Sequence, residues 1–110
     1  MTLDEYQKKA LTTALYSGDE FMDLLHWVLA VNGEAGEIAE KLKKIIRDKD
    51  GKVSEQDKAD IIGEIGDVLW YLAVFANHFK VSFEDVAQRN LDKLSSRKAR
   101  GVIKGSGDNR

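Results

Sequence analysis

The 110 residues contain no cysteine and no proline. Without cysteine there is no disulfide, no thiolate nucleophile and no zinc-finger site, and the redox compartment stays open. Without proline, punctuation falls to glycines and short polar turns. Long apolar runs are also missing: the longest, Val68–Ala76, is far too short to cross a bilayer. The N-terminal stretch MTLDEYQKKALTTALYSGDE has no apolar core behind a basic start. It does not read as a signal peptide, so the cytoplasm is the expected location. Nor does one sign of charge dominate. A net charge of −2 gives no overall basic field for nucleic acid or an anionic membrane, and neither is expected as a partner.

A hydrophobic fraction of 43% beside 33% charged residues is that of a soluble globular chain. The length suits one domain, with much of its surface left exposed. Apolar residues recur at three and four, not at two, so the expected class is all-α, a bundle of about four helices. Helices are expected over about Leu3–Tyr16 with Thr2 as N-cap, over Glu20–Arg47, from a Ser54 cap to about Phe79, and from a Ser82 cap to near Arg100. Ser17-Gly18-Asp19 and Asp48–Lys52 are the polar breaks. Residues 1–100 form the helical domain, and 101–110, GVIKGSGDNR, read as a flexible, Gly-rich, basic-to-polar tail. Two helices are apolar around more than one face, which points to a homo-oligomer that buries what one subunit cannot.

A near-repeat carries the chemistry. Gly33-Glu34-Ala35-Gly36-Glu37 in the second helix matches Gly63-Glu64-Ile65-Gly66-Asp67 in the third. Each sets two carboxylates at i and i+3, about 60° apart on one helical face. The second helix has an apolar stripe of Leu24, Val28, Val31, Ala35, Ile38, Leu42 and Ile45, and the third one of Ile61, Ile65, Val68, Leu72, Phe75 and Phe79. Glu34 and Glu64 lie at the stripe edges, Glu37 and Asp67 further out. Packed as an antiparallel hairpin, the helices would bring four carboxylates together. Such a cluster is unfavourable unless a hard cation occupies it, and magnesium suits carboxylate, water and phosphate oxygens. Gly33, Gly36, Gly63 and Gly66 each cost a helix about 1 kcal/mol relative to alanine, which implies close helix approach or room for a ligand. Acids at such spacing are usually solvated surface; two glycine-flanked pairs phased alike are not.

The segments NGEAGEIAEKLKKIIRD and GEIGDVLWYLAVFA, with Glu34, Glu37, then Glu64 and Asp67, resemble the MazG-like, all-α nucleoside triphosphate pyrophosphohydrolases from about residue 3 to 100. The resemblance implies a subunit that dimerises, or tetramerises as a dimer of dimers. It implies that the four acids bind Mg2+, with Mn2+ as a substitute, and that a metal-activated water releases pyrophosphate from a nucleoside triphosphate. Relatives include dimeric dUTPases, a dCTP pyrophosphatase and the phosphoribosyl-ATP pyrophosphohydrolase of histidine synthesis. Tyr71, one turn after Asp67, matches a substrate-contacting tyrosine of some of them. The Asn and Arg-Tyr-Pro ending of some relatives is replaced by SSRKARGVIKGSGDNR, so contacts there do not carry over. Base and sugar preference, and a role in cleansing the nucleotide pool against a regulatory one, stay open.

Glu34, Glu37, Glu64 and Asp67 are the expected metal ligands and catalytic residues, with Glu37 as the choice of proton acceptor. Lys41 and Lys44 follow on the same face, to meet phosphate or to form pairs such as Glu37 with Lys41. Trp27 beside His26 offers a ring for a base, or core packing. Trp70 and Val74, off the main stripe, are expected at a subunit interface. Arg89, Lys93 and Arg97 form a basic stripe, either solvated or joined by Arg100, Lys104 and Arg110 as a triphosphate clamp. The alternative from another class is a non-catalytic oligomerisation or regulatory module with a structural cation site. A di-iron bundle would want Glu-x-x-His pairs, and neither His26 nor His78 follows a glutamate at that spacing.

Overall fold

Four serine, threonine or aspartate caps set the helix starts in the computed structural model, which describes residues 1–110. Thr2 and Glu5 close a capping box on α1 (Leu3–Leu11), Asp19 accepts the Met22 N–H to start α2 (Glu20–Lys49), and Ser54 with Asp57 closes a second box on α3 (Glu55–His78). Ser82 accepts the Asp85 N–H at the start of α4 (Phe83–Ala99). Each cap satisfies N–H groups that a helix start leaves without partners. Four helices and no strand make the chain all-α, and no helix is long and apolar enough to cross a membrane.

α1 ends earlier than the expected Tyr16. The hydroxyls of Thr12 and Thr13 donate back to the Lys9 and Ala10 carbonyls at 2.6 and 3.0 Å, and Trp70 Nε1 donates to Thr13 Oγ1 at 3.1 Å. These bonds hold the chain in a turn where the helix would continue. The following loop is tied down by Ser17, whose N–H donates to Asp23 Oδ1 at 2.9 Å. α2 runs unbroken through its glycines and stops at Asp50 (φ 52°) and Gly51 (φ 77°), both in the left-handed region.

α2 and α3 form an antiparallel hairpin, pinned by Lys49 on Asp57 at one end and by Trp27 against Trp70 and Tyr71 towards the other. α1 lies on α3 and α4, whereas α2 packs on α3 alone. The small core joins Ala10, Ala73 and Phe83, with Tyr6, Leu69, Trp70 and Ala76 around them.

This packing redraws the expected stripes. Ile65 and Leu72 of α3, Phe79 just past its end, and Val28 and Leu42 of α2 are exposed, while Ile45 is buried. Trp70 and Val74, expected at a subunit interface, pack inside the protomer: Trp70 lies against the core that α1 helps build, and Val74 is 1% exposed. Phe21, Leu25, Leu29 and Ile46 on α2 and Ile62 and Ile65 on α3 stay open to solvent. The radius of gyration is 17.1 Å, against roughly 13 Å for a compact chain of about this size.

The Gly-rich tail has no helix or strand. Its Arg110 donates to the Val102, Ile103 and Gly107 carbonyls, and its Asp108 carbonyl accepts from Arg97 of α4.

Candidate metal centre

The glycine-flanked repeats face each other across the hairpin. Glu34 from α2 and Glu64 and Asp67 from α3 each present a carboxylate oxygen within 4.8 Å of the others. Burial, and then the charges of Asp67, Glu64 and Glu37, push the Glu34 carboxyl above its usual range. Glu37 lies outside the three-acid group. It is exposed, one turn beyond Glu34, close enough to act on Glu34 through charge alone. Three of the four expected acids therefore converge, and Glu37 stands apart.

Lys41 does not pair with Glu37. Its Nζ reaches across the hairpin to Glu64 Oε1 at 3.3 Å. Lys44 lies 4.0 Å from Glu40. Both lysines line a cavity of about 240 Å3 with Ile45, Asp48, Lys49, Asp57 and Asp60. A Cβ added at Gly33, Gly36, Gly63 or Gly66 would meet nothing within 4 Å. Close approach of α2 to α3 is therefore not what these glycines serve; they leave open space around the acids.

Tyr71, half-buried, belongs to an aromatic group one turn beyond Asp67. Its ring centroid lies 4.9 Å from Trp70, 6.3 Å from Trp27 and 6.3 Å from His26. Of the two readings of Trp27, a ring for a base or core packing, the burial corrects the first and fits the second. Trp27 is 2% exposed, with His26 stacked on it at 4.9 Å and Tyr16 edge-on at 5.9 Å, so it has no free face for a base. Exposed His26 carries the open ring instead.

Arg97 is the second correction. It is 6% exposed, its Nη2 donates to the Asp108 carbonyl at 2.7 Å, and its Nε has no partner. The basic stripe is thereby divided. Arg89, paired with Asp85 at 2.8 Å, and Lys93 border a cavity of about 480 Å3 beside Phe79 and Val86, whereas Arg97 turns into the tail. Arg100 and Arg110 are likewise occupied by tail and helix oxygens.

Tyr6 escaped sequence reading altogether. Burial, and then the charge of Asp67, push its phenol above the usual value, so α1 brings a hydroxyl into the field of the acid cluster. No local pattern signals it, because only the packing of α1 on α3 puts it there.

Comparison with known proteins gives the family. The MazG nucleotide pyrophosphohydrolase domain matches residues 23–102, a span that holds all four acids. Gene 37 protein of Mycobacterium phage L5 is 51% identical over 114 aligned positions, covering 100% of both chains. Uncharacterized protein YvdC of Bacillus subtilis is 39% identical over 69, covering 58% of this chain and 65% of its own. No solved structure matches.

Proposed function

Since the chain belongs to the MazG nucleotide pyrophosphohydrolase family, we propose that it hydrolyses nucleoside or deoxynucleoside triphosphates to the monophosphate and pyrophosphate. The cofactor is Mg2+, with Mn2+ able to replace it, and clearing unwanted triphosphates from the nucleotide pool is a fitting role. One observation carries this reading: the meeting of Glu34, Glu64 and Asp67 across the α2–α3 seam.

The donor set fits the ion. All ligating atoms are carboxylate oxygens, the kind magnesium selects over nitrogen or sulfur. The raised Glu34 carboxyl reports negative charge that a divalent cation would relieve. Bound there, magnesium supplies neutralisation of phosphate charge and a more acidic water.

The chain's own residues do the rest. Glu34, Glu64 and Asp67 hold the ion. Glu37, solvated and outside the cluster, accepts the proton of the attacking water at its carboxylate as the α–β phosphoanhydride bond breaks and pyrophosphate departs. Lys41 and Lys44 reach phosphate oxygens from α2. Tyr71, with His26 beside it, offers the aromatic surface for the base, one turn from Asp67. The exposed apolar stripes of α2 and α3 support a homodimer or homotetramer as the working form.

The test is to incubate the purified protein with Mg2+ and ordinary, deoxy- and oxidised triphosphates and to measure pyrophosphate. Release from at least one, abolished by EDTA, is the expected result. No pyrophosphate from any would leave the oligomerisation module with a structural cation site.

A further inference from the structure

Lys41 is the one cation in contact with the acid cluster. Its Nζ sits 3.3 Å from Glu64 Oε1, with side chains 35% and 18% exposed respectively. The cations around it are engaged elsewhere: Lys49 on both oxygens of Asp57 at 2.8 Å, Arg47 on Asp48 at 2.8 Å, and Lys43 on Glu40 at 2.9 Å. An ammonium on Glu64 and a divalent ion on the same carboxylate repel each other at short range. Lys41 also lines the cavity beside the cluster. Its flexible four-carbon stem ends in a point charge that can turn from one anion to another.

We propose that Lys41 is a positioning residue that exchanges anions: it holds Glu64 in place while the cluster lacks a divalent ion, and moves to a phosphate oxygen when ion and triphosphate arrive. This rests on the metal-dependent reading above and adds to it a coupling between the two ligands. Without nucleotide, Lys41 opposes the metal. With nucleotide, the same charge is released from Glu64 to bind phosphate, so each ligand tightens the other by the same factor. A surface lysine in an incidental ion pair would give no such reversal.

The experiment measures Mn2+ binding to the full-length protein by calorimetry or electron paramagnetic resonance, with and without an α,β-imido triphosphate analogue. Wild type, Lys41→Met and Lys41→Arg are compared, with circular dichroism as the control for folding. Lys41→Met is expected to tighten nucleotide-free Mn2+ binding about three- to fivefold, the range of a half-exposed ion pair. It is expected to weaken binding of the analogue, while Lys41→Arg moves both values back towards wild type. Mn2+ affinity unchanged or weakened in Lys41→Met, with wild type binding normally, overturns the exchange and leaves the metal site intact. Wild type that binds no Mn2+ at all overturns the metal reading, and the exchange with it.

Discussion

The side-chain oxygen of Gln7 accepts the main-chain N–H of Phe83 at 3.1 Å, while its nitrogen donates to the carbonyls of Ala73 at 3.0 Å and Val81 at 3.1 Å. A single buried amide thus joins α1 to the C-terminal half of α3 and to the start of α4. It sits beside the small core that carries Tyr6 and Trp70.

Replacing Gln7 with leucine leaves those three main-chain groups without their partner. A loss of about 2–3 kcal/mol is expected, the usual cost of buried groups left unsatisfied. Urea unfolding measures it. Gln7→Glu is expected to be at least as damaging, because a carboxylate oxygen then faces two carbonyls.

Acid unfolding has an identifiable contributor in Asp57. The Lys49 ammonium, and then the Ser54 N–H and hydroxyl, lower its carboxyl to about 2. A folded-state value below the unfolded one stabilises at neutral pH and is lost as pH falls through the folded value. Asp57→Asn is therefore expected to lower stability at pH 7 and to flatten the decline between about pH 4 and pH 2. Denaturation midpoints across that range decide it; an unchanged slope would mean the pair contributes nothing.

Glu34 has the opposite sign. Its carboxyl is raised by burial and by its acidic neighbours, so in metal-free protein its ionisation opposes folding as pH rises through the folded value. Glu34→Gln is expected to raise the Tm in EDTA, because an amide carries no charge into the cluster. The variant is also expected to lose any rise in Tm on adding Mg2+. Thermal scans of both forms with and without metal test both halves.

Glu37 is distinguishable from its three companions. Alanine at Glu64 or Asp67 is expected to lower kcat/KM by about 1000-fold or more and to remove Mn2+ binding. Glu37→Gln is expected to lower kcat about 100-fold, as for a lost general base, with Mn2+ affinity kept. Loss of metal binding in Glu37→Gln would make it a ligand.

The apolar stripes give an assembly prediction. Leu25 on α2 is 40% exposed and Ile65 on α3 is 53% exposed, and aspartate at either is expected to convert the oligomer to monomer. Size-exclusion chromatography with light scattering reads the mass directly. A wild-type protein that already runs as a monomer would end the idea.

What the sequence made legible was local. Thr2, Ser54 and Ser82 cap where expected because a cap and its third residue lie within one turn. The glycine-flanked acids could be placed because helical phasing puts Glu34, and Glu64 with Asp67, on faces that a hairpin turns towards each other. The misses are all decided by distant partners. Trp70 reaches Thr13 and helps end α1. Trp27 is enclosed by rings from the loop and from α3. Arg97 is claimed by the tail's Asp108. Periodicity shows that a face is apolar, not which neighbour covers it. It therefore could not tell Val74, covered by its own chain, from Ile65, which is not.

With only nine of 110 residues buried, a lone subunit has little hydrophobic reserve against the entropy of its own unfolded state. In the oligomer proposed above, folding and association are one equilibrium, and protein concentration enters the stability itself. Dilution is then expected to act on that assembly as a denaturant.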